Sequence, residues 1–146
     1  MSAEVLFSIC STLVLPQWLL LIFAPRWKWT KWLRDTYSIP LLLAVVYGYL
    51  IAAHMGEAPD SGFSSLTQVK NLFANDFLLL AGWIHYLAFD LVVGSWISKD
   101  AQQQGMSHLV VVPCLFFTFM LGPIGFLLYQ LSKRIIVKKS ASYESA

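Results

Sequence analysis

Apolar residues along the chain fall into four long runs separated by polar segments, at about residues 3–24, 37–54, 76–98 and 108–131. Each run holds about 18 residues or more, which is the length of α-helix that crosses the hydrocarbon core of a bilayer. Because backbone polar groups must be satisfied within such a core, the runs predict helices rather than isolated strands. The pattern therefore predicts an all-α, polytopic membrane protein: a four-transmembrane-helix bundle that forms one membrane domain over residues 1–146.

The segments between the runs carry signals of a membrane–water interface. Residues 26–34 alternate Lys and Arg with tryptophans, which is typical of interfacial anchors. In the loop between the second and third runs, apolar residues recur at helical spacing and predict a short amphipathic helix on the membrane surface. Residues 132–146 are predicted to form a basic, partly disordered tail.

The composition agrees with a membrane protein. Apolar residues make up 58% of the chain and charged residues 12%, about half the charged share of a typical soluble domain. The net charge of +2 and the lack of a basic stripe argue against nucleic acid as a partner. Lys and Arg divide evenly between the two sides of a four-span topology, so they leave the orientation open.

The third run carries polar side chains where the hydrocarbon is thickest: Trp83, His85, Tyr86 and Asp90. A charged side chain at the bilayer centre costs about 3 kcal/mol or more, so Asp90 indicates a functional position. A carboxyl buried with no cation nearby is expected to hold its proton, as a general acid must. At 100° per residue His85 points about 140° away from Asp90, so the two need different neighbours or a cavity that wraps around the helix.

Three further features are candidates for binding. Gln17 lies at about the same depth as Asp90, and Gly122-Pro123-x-Gly125 allows a kink and the close approach of a neighbouring helix. Asp76 is predicted to be a capping carboxylate at the start of a helix, with a ligand-binding role as the alternative.

Two alternatives to acid–base chemistry follow from the same residues. His85 also fits a structural role, as a neutral imidazole hydrogen-bonded to a carbonyl or a tyrosine hydroxyl. A metal site built from His54, His85 and Asp76, or a haem held by two histidines, has no supporting ligand spacing. The sequence therefore predicts no metal and no cofactor.

The third and fourth runs together resemble the abscisic-acid-deficient / neoxanthin synthase family of membrane proteins, and the resemblance covers most of the chain. The residues that carry it are Asn75-Asp76-x5-Gly82-Trp83-x-His85-Tyr86-x-x-Phe89-Asp90-Leu91-x-x-Gly94, followed by Gly122-Pro123-x-Gly125. The third-run string is specific, whereas a bare Gly-Pro-x-Gly is not.

The resemblance implies a membrane isomerase that rearranges an epoxycarotenoid, as in the conversion of violaxanthin to neoxanthin, or another isoprenoid lipid. Opening an epoxide needs an acid and forming an allene needs a base, which the resemblance assigns to Asp90 and His85, in either order. The substrate-binding residues it implies are Trp83, Tyr86, Gln17, Asp76, Gly122, Pro123 and Gly125.

A second interpretation is a non-catalytic membrane protein that binds carotenoid or quinone, or that assists an assembly. Both interpretations imply the lipid bilayer and a long apolar ligand as partners, and both leave association with further copies of the chain open. No signal or transit peptide pattern is found, as expected of a bacterial or mature chain. The expected location is the bacterial inner membrane, or a thylakoid or plasma membrane in a photosynthetic source.

Overall fold

The computed structural model describes the backbone of residues 2–57 and 60–144 and the side chains of residues 2–57 and 60–136. Within these ranges the regular elements are helices, as predicted, and no strand is found. A single 3-10 turn covers Met55–Glu57. The helices are α1 (Ala3–Phe23), α2 (Lys28–Thr36), α3 (Ser38–His54), α4 (Leu66–Leu72), α5 (Asp76–Gln103), α6 (His108–Leu121) and α7 (Pro123–Glu144).

Among the described residues, three helical segments are long and apolar enough to cross a membrane: Ala3–Phe23, Lys28–Glu57 and Asp76–Gln103. The second of these combines α2, α3 and the 3-10 turn. The prediction that the fourth apolar run, about 108–131, forms a single span is wrong, because the run divides into α6 and α7 and the chain reverses between them. A Cβ at Gly125 would lie 2.5 Å from the carbonyl oxygen of Cys114, so α7 packs back along α6. The backbone then stays helical to Glu144, so helix covers much of residues 132–146; Ser145 and Ala146 lie outside the described residues.

The chain forms two compact units. The first unit consists of Met1–Leu15 and Ser38–Phe89, and the second of Pro16–Tyr37 and Asp90–Ala146. Two of the helices, α1 and α5, contribute one part to each unit, and α1 passes from one unit to the other at Pro16. The first unit therefore contains α3 and α4, and the second contains α2, α6 and α7.

Local sequence explains where the shorter helices begin and end. α2 stops because Tyr37 takes the left-handed conformation, with φ 51° and ψ 32°. α4 starts at Ser65, whose hydroxyl accepts a hydrogen bond from the backbone N–H of Gln68 at 3.2 Å. α5 starts after Asn75, whose side-chain oxygen accepts hydrogen bonds from the N–H groups of Phe77 and Leu78 at 3.0 and 3.2 Å.

The break between α6 and α7 follows from a Gly-Pro pair. Gly122 has φ 44° and ψ −93°, a conformation that side chains disfavour, and Pro123 then occupies the first position of α7, where its missing N–H costs nothing. At Gly125 a Cβ would lie 2.0 Å from the backbone nitrogen of Thr118. Glycine at position 125 therefore allows the backbones of α6 and α7 to pack in direct contact.

We expect Gly125→Ala to lower the free energy of unfolding by about 2–3 kcal/mol, because the added methyl forces α7 away from α6. Gly48→Ala is the matched control, since a Cβ at Gly48 meets nothing within 4 Å and alanine favours helix by about 1 kcal/mol. Unfolding in mixed detergent micelles, followed by circular dichroism, measures both. Equal stability of the two variants would contradict the close contact.

Candidate functional site

Asp90 lies in α5, in the second unit, and its carboxylate packs against bare backbone. The residue is 9% exposed. A Cβ built on Gly122 would lie 2.6 Å from Oδ1 of Asp90 and 3.2 Å from Oδ2. Since Gly122 also has a positive φ, both its conformation and its space require glycine. The structure thus brings together two candidates, Asp90 and Gly122, at the break between α6 and α7.

Pro123 and Gly125, which were also predicted to bind substrate, support this break. Pro123 begins α7 and its side chain is exposed, whereas Gly125 is buried against Thr118. The hydroxyl of Thr118 donates to the carbonyl of Cys114 at 2.7 Å. These two candidates therefore shape the backbone beneath Asp90, and the binding role assigned to them stays a prediction.

Gln17 lies in the same unit and is completely buried. Its side-chain amide donates to the hydroxyl of Ser95 on α5 at 3.0 Å, while its amide oxygen Oε1 has no hydrogen-bond partner among the described residues. The next residue, Trp18, packs on Gly94, where a Cβ would lie 2.4 Å from the indole ring. The Gln17–Trp18 pair thus docks on Gly94–Ser95 through one hydrogen bond and one close ring contact.

A polar cluster that the sequence analysis missed lies on α5 and α7 in the second unit. The hydroxyl of Tyr129, which is fully buried, donates to Oδ2 of Asp100, and the ammonium of Lys133 donates to the same oxygen at 2.7 Å. Lys133 also lies over the ring of Trp96, 6.0 Å from its centroid. One carboxylate therefore receives two donors, an arrangement that holds α7 to α5.

Trp83, in the first unit, forms the centre of an aromatic group. Its indole N–H donates to the hydroxyl of Ser11 at 3.0 Å. Its ring lies 5.7 Å from Phe7 and stacks on Tyr86 with centroids 5.4 Å apart. Two predicted binding residues, Trp83 and Tyr86, are therefore in contact, and both contribute aromatic surface rather than an isolated polar group.

A cavity of about 500 Å³ lies beside this aromatic group. Phe7, Leu79, Leu80 and Trp83 provide apolar walls, and Glu4 and Asp76 add carboxylates at one end. Asp76 is exposed as the first residue of α5, and the capping role predicted for it is wrong, because Asn75 caps the helix instead. The amide of Asn75 can accept from two backbone N–H groups without bringing a charge into the turn.

His85 lies on the exposed surface of α5, among aromatic rings. Its imidazole is 5.6 Å from the ring centroid of Tyr47 and 4.6 Å from that of Phe89. His85 belongs to the first unit and Asp90 to the second. The surroundings of His85 are therefore aromatic, and the base and structural roles predicted for it both stay predictions.

The other two histidines have partners close to the chain segments that they end. Nδ1 of His54 lies 2.7 Å from the carboxylate of Glu57, and its ring stacks on Phe77. The Nε2–H of His108 donates to the carbonyl of Ile22 at 2.7 Å. Within the described residues no group of three or more His, Cys, Asp and Glu side chains is placed to hold a metal ion.

The fold and the site together define a class of protein. Large apolar side chains of α3 face outward, with Val45 71% exposed and Tyr49 67% exposed, as expected of helices surrounded by lipid. In the second unit, the carboxyl of Asp90 and the amide of Gln17 are buried on the apolar helices α5 and α1. This is a helical, membrane-associated protein with a polar interior.

The comparisons place the chain within a family. Residues 5–129 match the ABA4-like family, described as ABA DEFICIENT 4-like, and the chain belongs to it. It is similar to the protein ABA DEFICIENT 4, chloroplastic, of Arabidopsis thaliana, with 29% identity over 145 residues. That alignment covers 92% of this chain and 63% of the relative, so the chain spans less than two thirds of the relative's length. No solved structure matches the chain.

We expect Ser95→Ala to cost about 1–2 kcal/mol of stability, because it leaves the buried amide of Gln17 without an acceptor. The double variant Gln17→Leu, Ser95→Ala should cost less than the sum of its two single variants, since neither polar group is then left behind. Ser8→Ala is the control, because the Ser8 hydroxyl is exposed and bonds only within its own helix, to Glu4. Additive effects in detergent unfolding would show that the hydrogen bond contributes nothing.

Proposed function

We propose that this protein is a membrane-embedded isomerase that rearranges an epoxycarotenoid-like or isoprenoid lipid. One observation carries the proposal: Asp90 is a buried carboxyl on a long apolar helix, held against the bare backbone of Gly122. Membership of the ABA4-like family supports the substrate class, in line with the resemblance of the third and fourth apolar runs. A carotenoid-related role fits a protein whose apolar helices associate with a membrane.

The proposed reaction is an acid–base isomerisation without a cofactor. The carboxyl of Asp90 donates its proton to the epoxide oxygen, and one C–O bond breaks to give a hydroxyl. A base removes a proton from the carbon chain, and the electron pair of that C–H bond forms the new double bond of the allene. One proton enters and one leaves, so the product is an isomer of the substrate.

Asp90 and His85 lie in different compact units, so a separate role is proposed for each. Asp90 is proposed as the acid, since its carboxyl lies buried on an apolar helix, against the backbone of Gly122. His85 is proposed as the base, and Tyr86 and Gln17 are proposed to orient the lipid. The aromatic surface of Trp83 and Tyr86 suits a polyene, which offers a long apolar face for stacking.

We also propose that the chain crosses the membrane three times and that α6 and α7 enter it as a hairpin. Three helical segments have the length and composition for a crossing, and α6 is a shorter apolar helix of 14 residues. Gly122 lies against Asp90. Tyr129 and Lys133, further along α7, donate to Asp100, which is further along α5. α7 therefore returns along α6 and does not continue a fourth crossing.

A second candidate function is the non-catalytic binding of a carotenoid or quinone. The observation that favours it is the setting of His85, whose exposed ring lies against Tyr47 and Phe89. An exposed imidazole among aromatic rings suits contact with a flat, apolar ligand as well as it suits proton transfer. The two functions differ in whether the bound pigment changes.

We expect Asp90→Asn to abolish conversion of an epoxycarotenoid, because the amide keeps the shape against Gly122 but gives up no proton. The full chain is produced in a host that accumulates an epoxycarotenoid, and pigments are separated by chromatography and mass spectrometry. His85→Ala should lower the conversion about a hundredfold or more if the imidazole is the base. Asp60→Asn, an exposed loop position at which asparagine tolerates the positive φ, is the control.

The alternative gives a different result in the same experiment. A pigment that co-purifies unchanged with the parent protein, and equally with Asp90→Asn, would support binding without catalysis. Full conversion by the Asp90→Asn variant would end the proposal that Asp90 is the acid, whatever the fate of His85.

A further inference from the structure

The second unit contains another cavity, of about 290 Å³, which plays no part in the proposed isomerisation. It lies where α1 ends, α2 begins its second turn and α6 starts. Arg26, Lys31, Ser98, Gln102 and His108 are among the residues that line it, and it is called the basic cavity below. Half of the residues that line it are polar, whereas the cavity beside Trp83 is mainly apolar.

The charge of the basic cavity is positive. Arg26 and Lys31 line it, and among the described residues no Asp or Glu does. Asp35, the acidic residue of α2, forms ion pairs with Arg34 at 3.1 Å and with Lys99 at 3.3 Å. The two lining cations are therefore left to attract an anion from outside the chain.

Ser98 gives a second and independent indication of a ligand. It lines the basic cavity and is 3% exposed, and its hydroxyl has no hydrogen-bond partner among the described residues. Buried polar atoms are nearly always hydrogen-bonded, so an unpartnered hydroxyl beside a cavity indicates a group that the cavity accommodates. A hydroxyl can donate to an anion's oxygen.

The walls of the basic cavity are held in place. The amide of Gln102 donates to the carbonyl of Pro25 at 3.0 Å and accepts from the guanidinium of Arg34 at 3.1 Å. His108 and the hydroxyl of Thr30 donate to the carbonyls of Ile22 and Ala24. Because these carbonyls are already satisfied, the cavity offers donors rather than the oxygen ligands that a cation needs.

The start of α6 adds further donors. Its N-cap, Ser107, makes no side-chain cap hydrogen bond, and the N–H of Val110 donates to the carbonyl of Ser107. The positive end of the helix dipole favours an anion at the same place.

We propose that the basic cavity binds a phosphate group, carried by an anionic lipid headgroup or present as free phosphate. Arg26 and Lys31 supply charge, and Ser98 and the first turn of α6 supply hydrogen bonds. Trp27, Trp29 and Trp32 belong to the same short segment as Arg26 and Lys31 and are each about half exposed, and exposed tryptophans of this kind belong at the level of the lipid headgroups.

The test titrates the purified full chain in detergent with phosphatidylglycerol, inorganic phosphate and diacylglycerol, and reads binding by native mass spectrometry. Diacylglycerol has the acyl chains without the phosphate and should not bind. Arg26→Ala and Lys31→Ala should weaken phosphatidylglycerol binding about tenfold each, because each removes a charged hydrogen-bond donor. Ser98→Ala should weaken it by a smaller factor.

Lys28→Ala is the matched control, since it removes the same charge from the same helix while Lys28 lies over the ring of Trp29 and outside the cavity. Lys31→Arg should retain binding, which separates lost charge from misfolding. Binding of inorganic phosphate with the same variant pattern would identify free phosphate as the source, and binding of phosphatidylglycerol alone would identify the headgroup. Equal losses from Lys28→Ala and Lys31→Ala, or diacylglycerol binding as tightly as phosphatidylglycerol, would overturn the proposal.

Discussion

The contact between the Asp90 carboxylate and the backbone of Gly122 is the constraint on which the second unit depends. A carboxyl needs space and polar surroundings, and an apolar helix offers neither. Here a glycine with positive φ breaks the fourth apolar run and exposes backbone at the position where a Cβ would otherwise stand. The break that ends α6 thus also makes room for the acid, so the local conformation at Gly122 and the burial of Asp90 are one structural feature.

Both units combine hydrogen bonds between helices with contacts between aromatic rings. In the second unit Gln17 donates to Ser95, and Trp96 packs against a tyrosine ring. In the first unit Trp83 donates to Ser11 and stacks on a tyrosine ring. Directed hydrogen bonds and stacking surface therefore occur together in each unit, and α5 contributes residues to both.

The helices themselves could be predicted because the apolar runs are long and have no competing pattern. Burial of Asp90 and the need for glycine at position 122 were also predictable, from the cost of the carboxyl and from the Gly-Pro pair. The exposure of His85 was not, since α5 is apolar around most of its surface and its sequence does not identify which side faces neighbours. The Asp100–Tyr129–Lys133 cluster was missed because its members lie 29 and 33 residues apart. They meet because the chain turns between α5 and α6 and reverses again between α6 and α7.

The same reasoning explains why Asp90 is the stronger of the two catalytic candidates. An imidazole on an exposed, ring-lined surface costs little, and stacking alone can account for its presence. Burying a carboxyl on an apolar helix costs free energy. A neutral side chain of similar shape would fill the space against Gly122 at a lower cost. The proposed isomerisation would give this costly group a role, because an acid sheltered from water can deliver a proton to the oxygen of a lipid that water does not reach.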